Sequence, residues 1–287
     1  PLLMRIGALY SGELGRFDDA AARYREVLEQ VEDRAEVLEC LARVEAVRED
    51  WAALYDVYSM QVELADSEEE RARIYAEMAR VAGGELGEVD EAVSLWNRVI
   101  ELRGEDTEAL SFLELLYEFR EDWRELVDVC ERQVSLLEND TEREIALHTK
   151  LGQIWGENLN RERNALENWD KVLGLDPENH DAMWALVGLH ERSGQYERAV
   201  AQADQLLEKL ADDDPRQADL YRKLGQIYTD ALEQTDAGIE AWRALLRVLP
   251  GDMEAIDHLS GLYAAGERWR DCVDVLRLKV DAVEDAD

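Results

Sequence analysis

The sequence predicts an all-α fold, a solenoid of about eight helical hairpins, and three observations carry that prediction. Aromatic residues return at one place every 72 or 73 residues: Tyr24, Trp96, Trp169 and Trp242 form one series, and Trp51, Trp123, Tyr196 and Trp269 a second. The same step carries Gly7 onto Ala79, Gly152 and Gly225, and Leu41 onto Leu113, Leu186 and Leu259. Each long unit also divides in two, since Leu41 lies 35 residues after Ile6 and Leu54 lies 34 after Ala20. Finally, apolar residues recur with helical spacing and nowhere alternate as in a strand. The chain thus reads as four double repeats, approximately 1–66, 67–139, 140–213 and 214–287, in a single array over 1–287 with no domain boundary.

The last double repeat shows how each element arises. Leu220, Leu224, Ile227, Tyr228 and Leu232 share one helical face over 216–232. Ile239, Trp242, Leu245, Leu246 and Leu249 form the next helix, which Pro250-Gly251-Asp252 stops. A third helix runs from about Met253 to Ala265, turns at Gly266-Glu267-Arg268, and a fourth starts near Arg270. Along the chain the helix starts have local causes. Asp18 and Asp90 open second helices, and Asp176-Pro177 marks a joint. Ser67 with Glu70, Thr141 with Glu144, and Asp214 before Pro215 with Gln217 supply capping chemistry in the longer loops.

Composition narrows the partners. Sixty-seven acidic against 32 basic residues give a net charge of -35, and only five of the basic residues are lysine. Phosphate binding needs a basic footprint, so nucleic acid is excluded as a main partner. The acidity reads either as a generally hydrated surface or as a face that attracts a basic partner. No apolar run approaches the roughly 18 residues of a membrane span, and the chain reads as soluble. No signal peptide is visible over residues 1–11. Cys40, Cys130 and Cys272 are far apart and fall on apolar helix stripes, which predicts free buried thiols and fits a reducing compartment.

Tyr221, Leu224, Gly225, Tyr228, Trp242 and Pro250 follow one another in the seventh half-unit, and Leu186, Val187, Gly194, Tyr196 and Ala199 keep the same register in the sixth. This pattern resembles the tetratricopeptide repeat, and the match covers nearly all of the chain. The departures are specific. The closing proline survives only at Pro177 and Pro250, the small residue of the second helix becomes Leu54 and Leu126, and a first-helix glycine becomes Glu114. Odd-numbered half-units carry one extra residue between their helices. The resemblance implies a right-handed superhelix that binds a peptide or protein in its concave groove.

No catalytic constellation is present. His148, His180, His190 and His258 lack a second His or Cys at ligand spacing, and Gly194 stands where the zinc-protease string opened by His190-Glu191 needs its second histidine. Phosphate-cradling glycine loops are absent, and Asp212-Asp213-Asp214 lacks calcium-loop spacing. The chain is expected to be no enzyme and to need no metal or cofactor. In the family, ligand contacts come from first-helix positions three before the glycine position and one or five after it. Carried over, these give a largely uncharged strip of Ser111, Leu115, Phe119, Thr149, Gln153, Trp184, Arg222 and Gln226. Amides there suit a peptide backbone and Trp184 suits an anchor, unless Phe119 and Trp184 pack against adjacent hairpins. Arg43, Arg73 and Arg80 form a second, basic group suited to an acidic segment. The alternative is a structural segment of a longer or oligomeric array, because Pro1-Leu2-Leu3 is apolar and no polar capping helix closes the other end. Self-association through those ends belongs to this alternative.

Overall fold

The computed structural model describes residues 2–284 and the side chains of 2–280. Its described residues form sixteen α-helices and no strand. Contacts divide the chain into two compact units, Pro1–Glu138 and Asn139–Asp287.

The first unit holds α1 (Leu2–Gly12), α2 (Phe17–Leu28), α3 (Ala35–Arg48), α4 (Trp51–Leu64), α5 (Glu68–Arg80), α6 (Val89–Arg103), α7 (Thr107–Arg120) and α8 (Trp123–Leu136). Within the unit successive helices pack on one another, from α1 on α2 through α7 on α8. Two apolar clusters run through the unit, one around Tyr24, Leu38, Leu41 and Leu54, the other around Ile74, Trp96, Leu110 and Leu113. Trp96 stacks on Phe112 with centroids 4.7 Å apart, tying α6 to α7. Two buried carboxylates interrupt this core, Glu45 and Glu114, the latter accepting from the Gln133 amide at 2.8 Å. The Glu45 carboxylate of α3 is fully buried and accepts from Arg25, 2.6 Å away, and from Arg48. A buried carboxylate is tolerated only when paired in this way, and a single acid among so many gives no sequence signal of it.

The second unit holds α9 (Thr141–Gln153), α10 (Glu162–Leu175), α11 (His180–Arg192), α12 (Tyr196–Lys209), α13 (Arg216–Gln226), α14 (Thr235–Val248), α15 (Met253–Ala265) and α16 (Trp269–Glu284). Trp169 and Trp242 are buried, and Trp242 stacks on His258 of α15 at 4.4 Å. Gly152 and Gly225 make room for these indoles: a Cβ on Gly152 would lie 2.7 Å from Trp169, and one on Gly225 2.5 Å from Trp242.

The extra residue of the odd hairpins has a defined place. Their first helices end in a wider turn, π-helical at 81–86, 154–158 and 227–231. A hydrogen bond spanning six residues closes each one: Arg16 N–H to the Tyr10 carbonyl at 2.8 Å, Glu88 to Ala82 at 2.8 Å, Arg161 to Trp155 at 2.6 Å and Gln234 to Tyr228 at 2.7 Å. Inserting one residue into a helical turn produces this widening. The even hairpins end with a five-residue bond instead, as from Asp50 to Glu45 and Asp122 to Tyr117.

Three sequence expectations are corrected in detail. Asp140, not Thr141, caps α9, accepting from the Arg143 N–H at 3.0 Å. Gln217 does not reach back to the helix start, because its amide donates to the Ala211 carbonyl at 2.7 Å. The three cysteines are free, but only Cys130 is buried; Cys40 and Cys272 are half-buried. Ser67 caps α5 as expected, accepting from Glu70 N–H at 3.1 Å.

Candidate functional site

The candidate residues lie on first helices of hairpins, spaced by four so that they share a face. In the first unit, Ser111, Leu115 and Phe119 form such a row on α7. The Ser111 hydroxyl donates to the Thr107 carbonyl of its own helix at 2.8 Å. Leu115 is 62% and Phe119 77% exposed, so Phe119 does not pack into an adjacent hairpin of this unit. Arg43 and Arg73 are exposed. Arg80 is committed within the unit, pairing with Glu77 at 2.9 Å and Glu108 at 2.5 Å while its guanidinium lies 5.7 Å from the Trp96 ring centre. A cleft of about 750 Å³ lies at the hairpin turns between Arg16 and Trp51. Its Arg16 and Arg48 already face Asp19 and Asp18.

The second unit brings more of the predicted residues together. Thr149 and Gln153 of α9 face Trp184 of α11 across a cleft of about 390 Å³. Gly152, Gly156 and Gly188 line it as well, so backbone is reachable where side chains would otherwise stand. Trp184 is half-buried: it packs against the cluster formed with α12 and α13 and also lines this cleft.

A second cleft, about 570 Å³, lies between α11 and the end of α13 and contains Gln226, Lys223 and Tyr196. Gly188 and Arg192 line both clefts and separate them. The guanidinium of Arg192 lies over bare backbone: its Nη1 is 3.7 Å from where a Cβ on Gly188 would sit, and Nη2 is 3.9 Å from the corresponding point on Gly156. Arg192 is exposed and has no ion pair among the described residues, although acids outnumber bases two to one in the chain. Sequence reasoning missed it, yet the rule that selects Phe119, five places beyond the glycine position, selects Arg192 on α11.

Other expected contacts are occupied. Arg222 faces Asp219 and Asp252 at 2.7 Å and Glu254 at 3.1 Å, and it lines neither cleft. The Gln226 amide donates to Glu254 at 2.8 Å. Lys223 pairs with Glu191 at 2.5 Å. Among the described residues no group of three or more His, Cys, Asp or Glu is placed to hold a metal ion, and no helix is long and apolar enough to cross a membrane.

Comparisons follow the same lines. Two family models described as tetratricopeptide repeat match residues 109–144 and 160–224. No curated protein matches the chain. Among solved structures, the Naa15/Naa10 complex bound to HypK-THB is similar with a TM-score of 0.62 at 15% identity, covering 91% of this chain and 38% of that one. YrrB, described as a TPR protein with an unusual peptide-binding site, gives a TM-score of 0.46 at 18% identity, covering 70% of this chain and 96% of its own. A MamA fragment from Desulfovibrio magneticus RS-1 gives 0.45 at 22% identity, covering 63% and 95%.

Proposed function

Because this chain is a tetratricopeptide repeat protein, with the fold of a protein-interaction scaffold, we propose that its second unit binds an extended peptide along the two clefts that meet at Arg192. The observation that carries the reading is an exposed arginine laid across glycine backbone in an acidic chain, with no ion pair among the described residues. Arginine forms bidentate hydrogen bonds with a carboxylate, so the peptide carries an acidic side chain or its terminal carboxylate at that point. Trp184 supplies an apolar wall, and the Gln153 amide, with the backbone exposed at Gly156 and Gly188, pairs with the extended chain of the ligand. On the first unit, Leu115 and Phe119 offer a separate apolar row, and Arg43 and Arg73 are available to an acidic segment.

Peptides selected on the purified chain from a random display library test this. They should share an acidic position, and Arg192→Glu should weaken them tenfold or more, the scale of a lost charge-assisted pair. Trp184→Ala should also weaken them while helicity by circular dichroism stays near wild type. A library that yields no binder, or binders indifferent to both substitutions, overturns the proposal.

A further inference from the structure

The recurring indoles receive a stacked ring at two places and lack one at a third. Trp96 stacks on Phe112 with 7° between the planes, and Trp242 stacks on His258 at 6°. Phe112, Ala185 and His258 stand at successive steps of 73 residues, so the two rings hold one register. Ala185 therefore stands where Trp169 would receive its ring, and among the described residues no ring stacks on Trp169. Trp169 and Ala185 both line the cleft of about 390 Å³, and Trp169 keeps 5% exposure where Trp96 keeps 1% and Trp242 none. The first hairpins repeat the correlation: Tyr24 and Cys40 hold these two positions there, and they line a cleft of about 310 Å³. A side chain too short to stack leaves open the place that a ring takes elsewhere in the same chain.

We propose that this cleft takes a single-ring aromatic side chain of the bound peptide, which stacks on Trp169 as Phe112 stacks on Trp96. The chain itself supplies the template, because it fills the same place with a ring of that size twice. Stacked aromatic pairs gain beyond the area they bury, and Trp184 and Leu189 add apolar surface to the same cleft. Arg192 lines this cleft as well, so the aromatic residue of the ligand lies close to the acid that Arg192 holds, at one constant spacing. The inference rests on the reading of the second unit as peptide-binding, and it adds a side chain that the acid alone does not specify.

Peptides selected on the whole chain from a random display library, then synthesised with a fluorescent label and measured by anisotropy, test it. They should share phenylalanine, tyrosine or histidine at a constant distance from the acid, and replacing that residue by alanine should weaken binding tenfold or more. Ala185→Phe should lay the chain's own ring on Trp169, as in the pairing of α6 with α7, and weaken the same peptides tenfold or more. The alanine-replaced peptide should bind Ala185→Phe and wild type equally, since it brings no ring to the occupied place. Ala185→His, copied from α15, serves as a second variant, with thermal melts to show that each folds; should both melt early, the alanine-replaced peptide decides alone. Peptides that need Arg192 but show no aromatic preference and ignore Ala185→Phe overturn this inference and leave the acidic reading standing. Peptides that need the ring and ignore Arg192→Glu support the inference and overturn the acidic reading. A library without binders overturns both.

Discussion

Replacing Gly238 by alanine tests how closely the hairpins are fitted. Where each odd first helix ends against its second helix, one pair of positions meets: Gly83 with Ala92, Gly156 with Ala165, and Thr229 with Gly238, and Ser11 and Ala20 hold the same register in the first hairpin. The sizes compensate, because in the last pair the larger residue has moved to the first helix and the second has lost its Cβ. A Cβ on Gly238 would lie 2.5 Å from Thr229 Cγ2, where carbon contacts prefer about 3.5 to 4.0 Å. Thr229 cannot swing away cheaply, since its hydroxyl donates to the Gly225 carbonyl at 2.8 Å and a β-branched side chain has few rotamers. Overpacking costs about 1 to 3 kcal/mol, and alanine in a helix recovers about 0.5 to 1 kcal/mol over glycine. Gly238→Ala should therefore destabilise by about 0.5 to 2 kcal/mol. Thr229→Ser removes the clashing methyl but keeps the hydroxyl, reproducing the first hairpin, where the Ser11 hydroxyl donates to the Gly7 carbonyl at 3.2 Å. Alone it should cost about 0.8 kcal/mol or less, one methyl group. The double variant should match wild type within about 0.5 kcal/mol, giving a coupling of about 1 kcal/mol or more in guanidinium unfolding. A stabilised Gly238→Ala, or changes that add within about 0.3 kcal/mol, would refute the fitted-pair argument.

Two further outcomes follow from the backbone and from one histidine. Glu121 ends α7 in the left-handed region at φ 58°, where Gly194 stands in the second unit at φ 69°. Glu121→Gly should stabilise the chain by about 0.5 to 1.5 kcal/mol, relieving the left-handed cost and an anion at a helix C-terminus, whereas Glu131→Gly inside α8 should cost about 1 kcal/mol; thermal melts that rank them the other way count against this. Burial, with Arg198 nearby, holds the His190 imidazolium below its ordinary value, against a smaller opposite pull from Asp170. The unfolded chain then binds this proton more readily than the folded one, so His190's contribution is intact above about pH 6.5 and is lost as pH falls through that value toward the lower folded one. Wild type should lose more melting temperature than His190→Gln between about pH 7.5 and pH 5, and equal losses would exclude the effect.

The helices and the buried indoles were legible because period and spacing report burial directly: Trp96, Trp169 and Trp242 recur where small residues face them. The extra residue of the odd hairpins was countable, but its conformation was not, because one insertion fits a longer loop as well as a wider turn until hydrogen bonds are seen. Capping at Asp140 was ambiguous beside Thr141, since both side chains carry the needed oxygen. The site was half legible. Register put Thr149 and Gln153 on α9 and Trp184 on α11, where they line one cleft, but Arg222 looked free only because its acids, Asp219, Asp252 and Glu254, come from the same helix and from the next hairpin. Arg192 was overlooked because its distinction is the lack of a partner, which a sequence does not display.

The alternation of a six-residue closure with a five-residue one limits how such a chain can change length. A lone hairpin added or removed would leave two like turns in succession, and the helix that follows would enter with its apolar stripe rotated away from its neighbour. Growth, shrinkage or engineered splicing of this chain should therefore succeed in steps of two hairpins and fail in steps of one.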